Sequence, residues 1–137
     1  MATQITIDTE VARPPAAVWE YWNSPEHITG WNFASEDWHC PHASNDLRVG
    51  GKLVSRMEAK DGSFGFDFEG EYTEVAAPSR IAYRMGDGRN VWVDFTPTAG
   101  GTAVACGFDA EDTNPHEMQR DGWQAILNNF KRYAETQ

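Results

Sequence analysis

Residues 114–133, NPHEMQRDGWQAILNNFKRY, decide the fold. Stepped at helical spacing, Met118, Gly122, Trp123, Ile126, Leu127, Phe130 and Tyr133 fall on one broad face, and Arg120, Gln124, Asn128 and Lys131 on the other. Asn114 is placed to cap this helix, Pro115 to open its first turn and Glu117 to complete a capping box. Lys131 and Arg132 fall in the last turn, where cations suit the helix dipole. Roughly 20 residues make a rod of about 30 Å, enough to cross a small domain.

Two residues on the apolar face are out of character. Gln119 lies one turn before Trp123, and Gly122 beside it costs the helix roughly 1 kcal/mol relative to Ala. A stripe built only for packing would hold Leu or Ala at both. One reading is a gap in the core with an amide pointing into it. The other is a helix end where Gln119 reaches solvent and Gly122 permits close backbone approach. The helix alone leaves both open.

The rest of the chain must supply what this helix covers. Residues 4–11 alternate, with Ile5, Ile7, Thr9 and Val11 on one side, and read as a strand. Pro15 opens a short helix through Trp22 with Val18, Trp19 and Trp22 as its apolar face. Ser24 caps a second, with Ile28 and Trp31 inward. Residues 32–49, NFASEDWHCPHASNDLRV, read as a long irregular stretch, and loops of that length are often functional. Residues 52–60 and 63–75 then alternate around Asp61-Gly62, a hairpin signal. With those two residues at the centre of the turn, Met57 faces Phe66 and Ser55 faces Phe68, while Arg56 meets Asp67 and Lys52 meets Glu71 on the opposite face. Turn chemistry and side-chain pattern agree, as a one-sided sheet requires.

Residues 80–85 place Ile81, Tyr83 and Met85 inward, and Asp87-Gly88 turns the chain into residues 90–96. A two-residue turn would set Trp92 and Asp94 on the inner face. One more loop residue sets Val91, Val93 and Phe95 there, which apolar content favours. A turn at 97–101 leads to a last strand, 102–108. Strand, two helices, five strands and one long helix make an α+β chain whose antiparallel sheet curls around the terminal helix.

This order of elements resembles the helix-grip fold of the START-like, or SRPBCC, superfamily. The stretches PPAAVWEYW, NDLRVGGKLVSRMEAKDGSFGFDFEGEY and GWQAILNNF resemble bacterial homologues of the C-terminal domain of the heat-shock-protein-90 ATPase activator. The resemblance implies a seven-stranded sheet, one strand more than the pattern shows. The seventh comes either from splitting residues 63–75 or from part of 32–49. It also implies an apolar small-molecule site between helix and sheet, or a chaperone partner. Most of the residues that carry it are turn glycines and core aromatics, which specify fold better than function.

Composition bounds the rest. The chain has 137 residues, enough for one domain, and its 17 aromatics and 40% hydrophobic content exclude a disordered segment. A formal net charge of −10 argues against nucleic acid and anionic membrane as partners. No secretory signal and no run of ~18 apolar residues is visible, so a cytoplasmic protein with Cys40 and Cys106 as free thiols is expected. Either a monomer or a homodimer fits this composition.

Trp38-His39-Cys40-Pro41-His42 gathers three metal-ligand types, but no second Cys/His pair completes a site and no bound metal is expected. Gly50-Gly51 precedes a strand rather than a helix, so no phosphate loop or nucleotide cofactor is expected. Glu58, Asp67, Glu69 and Glu71 read as a solvated outer face. Trp31, Trp38, Met57, Phe66, Phe68, Tyr83 and Trp123 are individually ordinary core residues; with Gly122 and Gln119 they describe a lined cavity. The leading expectation is a small apolar ligand bound there, with Gln119 as polar contact and residues 32–49 gating access. A chaperone-type interaction module is the alternative, and an enzyme using the same cavity the third.

Overall fold

The computed structural model describes residues 3–137. Its order is β1 (Gln4–Val11), α1 (Pro15–Asn23), α2 (Pro25–Ile28), β2 (Trp38–Asn45), β3 (Lys52–Ala59), β4 (Gly65–Ala76), β5 (Arg80–Met85), β6 (Asn90–Thr98), β7 (Gly101–Asp109) and α3 (His116–Glu135). The strands form one antiparallel sheet in the order β1-β7-β6-β5-β4-β3-β2, curved around α3. Only β1 departs from a simple meander, returning beside the last strand.

The seventh strand lies within residues 32–49. β2 pairs with β3 from Trp38↔Ala59 to Asn45↔Leu53, with a register shift between His39 and His42. The irregular stretch expected there is therefore partly an edge strand. Its period is broken by that shift and by Pro41, which is tolerated because an edge strand has a free side.

The β3–β4 register is the one read from the charge pattern: Arg56↔Asp67, Met57↔Phe66, Ser55↔Phe68 and Lys52↔Glu71. The turn that sets it is different. Gly62 N donates to Ala59 O, so Lys60 and Asp61, not Asp61 and Gly62, are the central pair. Gly62 follows at φ +78°, the left-handed conformation a residue with a Cβ avoids. The outer loop bond, Ala59 N to Phe64 O at 2.9 Å, leaves four residues in the loop, and an even number preserves the register.

The β5–β6 loop is odd instead. Met85 N donates to Arg89 O, three residues close the turn, and Tyr83 pairs with Val91. Val91, Val93 and Phe95 are consequently buried on the concave face. Asp94 points outward, where Arg80 Nη1 donates to it at 2.8 Å and the same guanidinium lies 5.3 Å over the Trp92 ring.

α3 lies across the concave face, and its two halves differ. Leu127, Phe130 and Ala134 are at most 1% exposed, whereas Trp123 and Ile126 are half-buried and Met118 is 62% exposed. Phe130 is the keystone of the buried half. Trp22 and Trp31 each present to it edge-on at 4.8 and 4.9 Å, so one ring binds α1, the α2 turn and α3 together. Further along, α3 fastens to the outer edge of β1. Gln124 Nε2 donates to Asp8 O, Lys131 Nζ donates to Glu10 O at 2.6 Å, and the Glu135 carboxylate accepts from Ala12 N.

The start of α3 departs from the capping expected. The cap residue is Pro115 and no side chain caps the helix; Asn114 donates instead to the Glu111 carboxylate. The preceding loop is held from within the helix by Gln119. Ser24 likewise precedes α2 without a side-chain bond.

Removing the keystone ring should cost more than an average core deletion. Phe130→Ala is expected to lose about 3–5 kcal/mol of unfolding free energy, measured by urea titration. A loss under about 1 kcal/mol would mean that α3 is held mainly by its polar contacts to β1.

Candidate functional site

Because the C-terminal half of α3 is buried against the sheet and the N-terminal half is less so, a cleft of about 590 Å³ lies beneath the latter. Its floor is the concave face of β3, β4 and β5, and its roof is Met118, Gln119, Gly122, Trp123, Ile126 and Leu127. Trp22, Ile28 and Trp31 close the far end. Exposure gives the cleft a direction. Its exposed border residues, including Phe66, Asp87, Asn114 and Met118, lie where the β3–β4 hairpin, the β5–β6 loop and the start of α3 meet. Its buried residues, including Asn23, Tyr72, Ile81, Tyr83 and Cys106, lie away from that mouth.

Of the expected site residues, Trp31, Met57, Phe66, Phe68, Tyr83, Gln119, Gly122 and Trp123 border this cleft. Trp38 does not. It starts the edge strand β2 and packs instead with Phe64 and Phe66, at 5.9 and 6.1 Å between ring centroids. Phe66 is 40% exposed and stands at the mouth rather than deep in the wall. Trp123 stacks flat on Phe108 at 4.0 Å and meets Phe68 edge-on at 6.1 Å, joining roof to floor. An added Cβ at Gly122 would meet nothing within 4 Å.

Gln119 is buried, but its amide is not free for a ligand. Its Oε1 accepts from Glu111 N at 2.9 Å, and its Nε2 donates to Asn114 O at 2.8 Å and to Glu111 O at 3.2 Å. Neither expected alternative holds: the amide reaches neither into the cavity nor out to solvent, and instead closes the loop between β7 and α3. The physical reason is local, because the loop's backbone groups lie within reach and the helix has no other cap.

The polar groups of the cleft sit on the opposite wall. Tyr72 donates its hydroxyl to Asn45 Oδ1 at 2.7 Å, and Asn45 Nδ2 donates to Asn23 O at 2.6 Å. Asn23 Nδ2 in turn donates to Trp19 O, leaving Asn23 Oδ1 buried and without a partner among the described residues. Tyr83 meets Tyr72 and Phe68 edge-on; its hydroxyl makes no hydrogen bond among the described residues but, unlike Asn23 Oδ1, is not fully buried. Its ring lies close over Gly70, where any Cβ would sit 2.7 Å from Tyr83 Cδ2. Ser55 and Tyr72 were within reach of the alternation of β3 and β4. Asn23 and Asn45 were not, because a helix end and an irregular strand supply them.

Burial sets the protonation of these groups. It pushes the Tyr83 phenol well above its usual value and the Tyr72 phenol up to about 12, the latter against the Asn45 hydrogen bond. It also pushes the Cys106 thiol up to about 12 and raises that of Cys40, the latter against a hydrogen bond from Ser55. The deep end is therefore a set of neutral donors and acceptors. Among the described residues the one cation on the border is Arg89, whose Nε donates to Asp87 at 2.7 Å near the mouth. Burial works against the Asp87 carboxylate, but the Arg89 backbone N–H and guanidinium outweigh it and hold it below the usual range. His39 lies 3.7 Å from Glu58 and Cys40 is buried; among the described residues no three potential metal ligands converge.

Residues 12–135 match the family described as activator of Hsp90 ATPase homolog 1-like protein. Among solved structures, the chain is 48% identical to an AHSA1-like protein of Aeromonas hydrophila, covering 98% of this chain and 93% of that one with a TM-score of 0.93. It is 49% identical to a protein of Cytophaga hutchinsonii, covering 97% and 92% with a TM-score of 0.84. A protein of Chromobacterium violaceum at 24% identity, covering 97% and 98% with a TM-score of 0.86, shares the fold. No curated protein matches the chain. No helix among the described residues is long and apolar enough to cross a membrane.

Two outcomes test this geometry. Gln119→Met keeps the volume but strands three backbone groups of the loop, and is expected to cost about 1–3 kcal/mol in urea unfolding. Equal stability would show that the amide holds nothing. Both thiols should resist Ellman's reagent at pH 8 in the native state and react on unfolding. Rapid native reaction of either would contradict its burial.

Proposed function

The chain belongs to the family of activator of Hsp90 ATPase homolog 1-like proteins, and on that premise we propose that it binds a small, largely apolar molecule in the cleft under the N-terminal half of α3. The observation that carries this reading is the unfilled space at Gly122. A helix meant only to pack would gain about 1 kcal/mol from Ala there, and nothing stands within 4 Å of the added carbon to forbid it. The cleft's volume falls in the range of about 300–1,000 Å³ typical of small-molecule sites, and its walls are mainly aromatic and aliphatic with few polar groups. Ligand affinity would come from burying apolar surface, at about 25 cal/mol per Å². The ligand-binding residues would be Met57, Phe66, Phe68, Tyr83, Gly122 and Trp123, in a cytoplasmic protein.

A specific observation favours a second reading, contact with a protein partner of the chaperone kind named by the family. Trp38, Phe64 and Phe66 form an aromatic cluster beside the mouth, with Phe64 61% exposed. Stimulation of an Hsp90-type ATPase by this protein, lost in Phe64→Ser, would favour it.

The cleft reading predicts saturable, one-to-one fluorescence enhancement of the hydrocarbon probe 1,6-diphenylhexatriene. Gly122→Leu should weaken that binding about ten-fold or more by filling the space, while melting at or above the wild-type temperature. No enhancement with the wild type, or equal affinity in the variant, would overturn the reading.

A further inference from the structure

The deep end of the cleft carries uncharged polar groups, and the kind of polarity found there selects among apolar ligands. Resting on the reading that the cleft binds a small molecule, we propose that its ligand carries an uncharged oxygen head group, a hydroxyl or carbonyl, which accepts a hydrogen bond from Tyr83 at the deep end. The tail of such a ligand lies toward Phe66 and Met118 at the mouth.

Three observations converge on this class. The first is an accounting of donors. The Tyr72 hydroxyl is committed to Asn45, the Asn45 amide to Asn23 O and the Gln119 amide to the loop before α3. The Tyr83 hydroxyl alone among these has no acceptor within the described residues, although the residue is only 7% exposed. Among the described residues only Asn23 Oδ1 and Thr98 Oγ1 are fully buried without a partner, so the Tyr83 hydroxyl stays accessible from the cleft, and a bound acceptor takes the place of solvent there.

The second is charge. Among the described residues no Lys, Arg, His, Asp or Glu borders the deep end, where Asn23, Ser55, Tyr72, Tyr83 and Cys106 lie. A carboxylate or ammonium head would be desolvated there with no counter-ion, and an anion would also approach the unpartnered Asn23 Oδ1. The acids on the border, Asp67, Glu69, Asp87 and Glu111, are on the convex face or at the mouth, and Arg89 is engaged by Asp87 there.

The third is placement. Tyr83 is fixed by its edge-on contacts with Phe68 and Tyr72 and by the close fit over Gly70. A phenol held this rigidly loses little freedom on binding, which favours a directed bond over general stickiness.

The test uses the full chain and three probes: 1,6-diphenylhexatriene to report the cleft, with 1-decanol and decanoate as competitors at pH 8. Decanol is expected to displace the probe at a concentration about ten-fold or more below decanoate. Tyr83→Phe should weaken decanol about three- to ten-fold and the hydrocarbon probe by clearly less, since the ring that forms the wall is kept. The variant should melt no lower than wild type, since the lost hydroxyl had no partner in the chain, whereas Tyr72→Phe should melt lower because Asn45 loses its bond. If the hydrocarbon probe binds but decanoate competes as well as decanol, or Tyr83→Phe leaves decanol unaffected, this inference fails and the cleft reading stands. If neither the probe nor decanol binds, the cleft reading itself fails.

Discussion

Everything else in this molecule depends on how Leu127, Phe130 and Ala134 press into the concave face of the sheet. These three residues are at most 1% exposed, and Phe130 alone meets two tryptophans from separate elements. A curved sheet of seven strands presents more apolar surface than one helix can cover, so the helix must seat somewhere and leave a gap elsewhere. Seating at the C-terminal half puts the gap beneath Gly122. The tight packing of one half and the vacancy under the other are one geometric fact.

Polarity inside the cleft follows a similar economy. Buried polar side chains here are used first to hold the chain, as Gln119 does for the loop before α3 and Asn45 does for the end of α1. What remains over is small and specific. A site whose structural hydrogen bonds are already satisfied does not need to reorganise to receive a ligand, and its few free groups then dominate recognition.

Legibility in the sequence varied with how local the physics is. The β3–β4 register could be read because Arg56 and Asp67 must meet on the outside whenever Met57 and Phe66 meet on the inside. Moving the turn's central pair from Asp61-Gly62 to Lys60-Asp61 leaves this register intact, since both loops contain an even number of residues. β2 could not be read because WHCPHASN has Pro41 and a register shift, and an edge strand carries no obligation to alternate on both sides. The aromatic walls of the cleft were visible from residue type and spacing. Trp38 was misplaced among them because its position depends on the unread strand. The role of Gln119 was hidden for another reason. Whether a buried amide faces a cavity or a backbone depends on where a distant loop passes, and no periodicity encodes that.

The fastening of α3 along β1 has a mechanical consequence. Gln124, Lys131 and Glu135 hook the helix to backbone groups of Asp8, Glu10 and Ala12, so the stretch from 124 onward moves only if the border of the sheet moves with it. The helix is clamped to the sheet border over its last three turns, while its first two are held by Gln119 to the preceding loop and by Trp123 against Phe108. Bending concentrates where the clamp ends, and there the chain carries Gly122, the least stiff residue a helix can hold. Lifting this end away from the sheet would part Trp123 from Phe108 and Phe68 as well as bend the helix at Gly122.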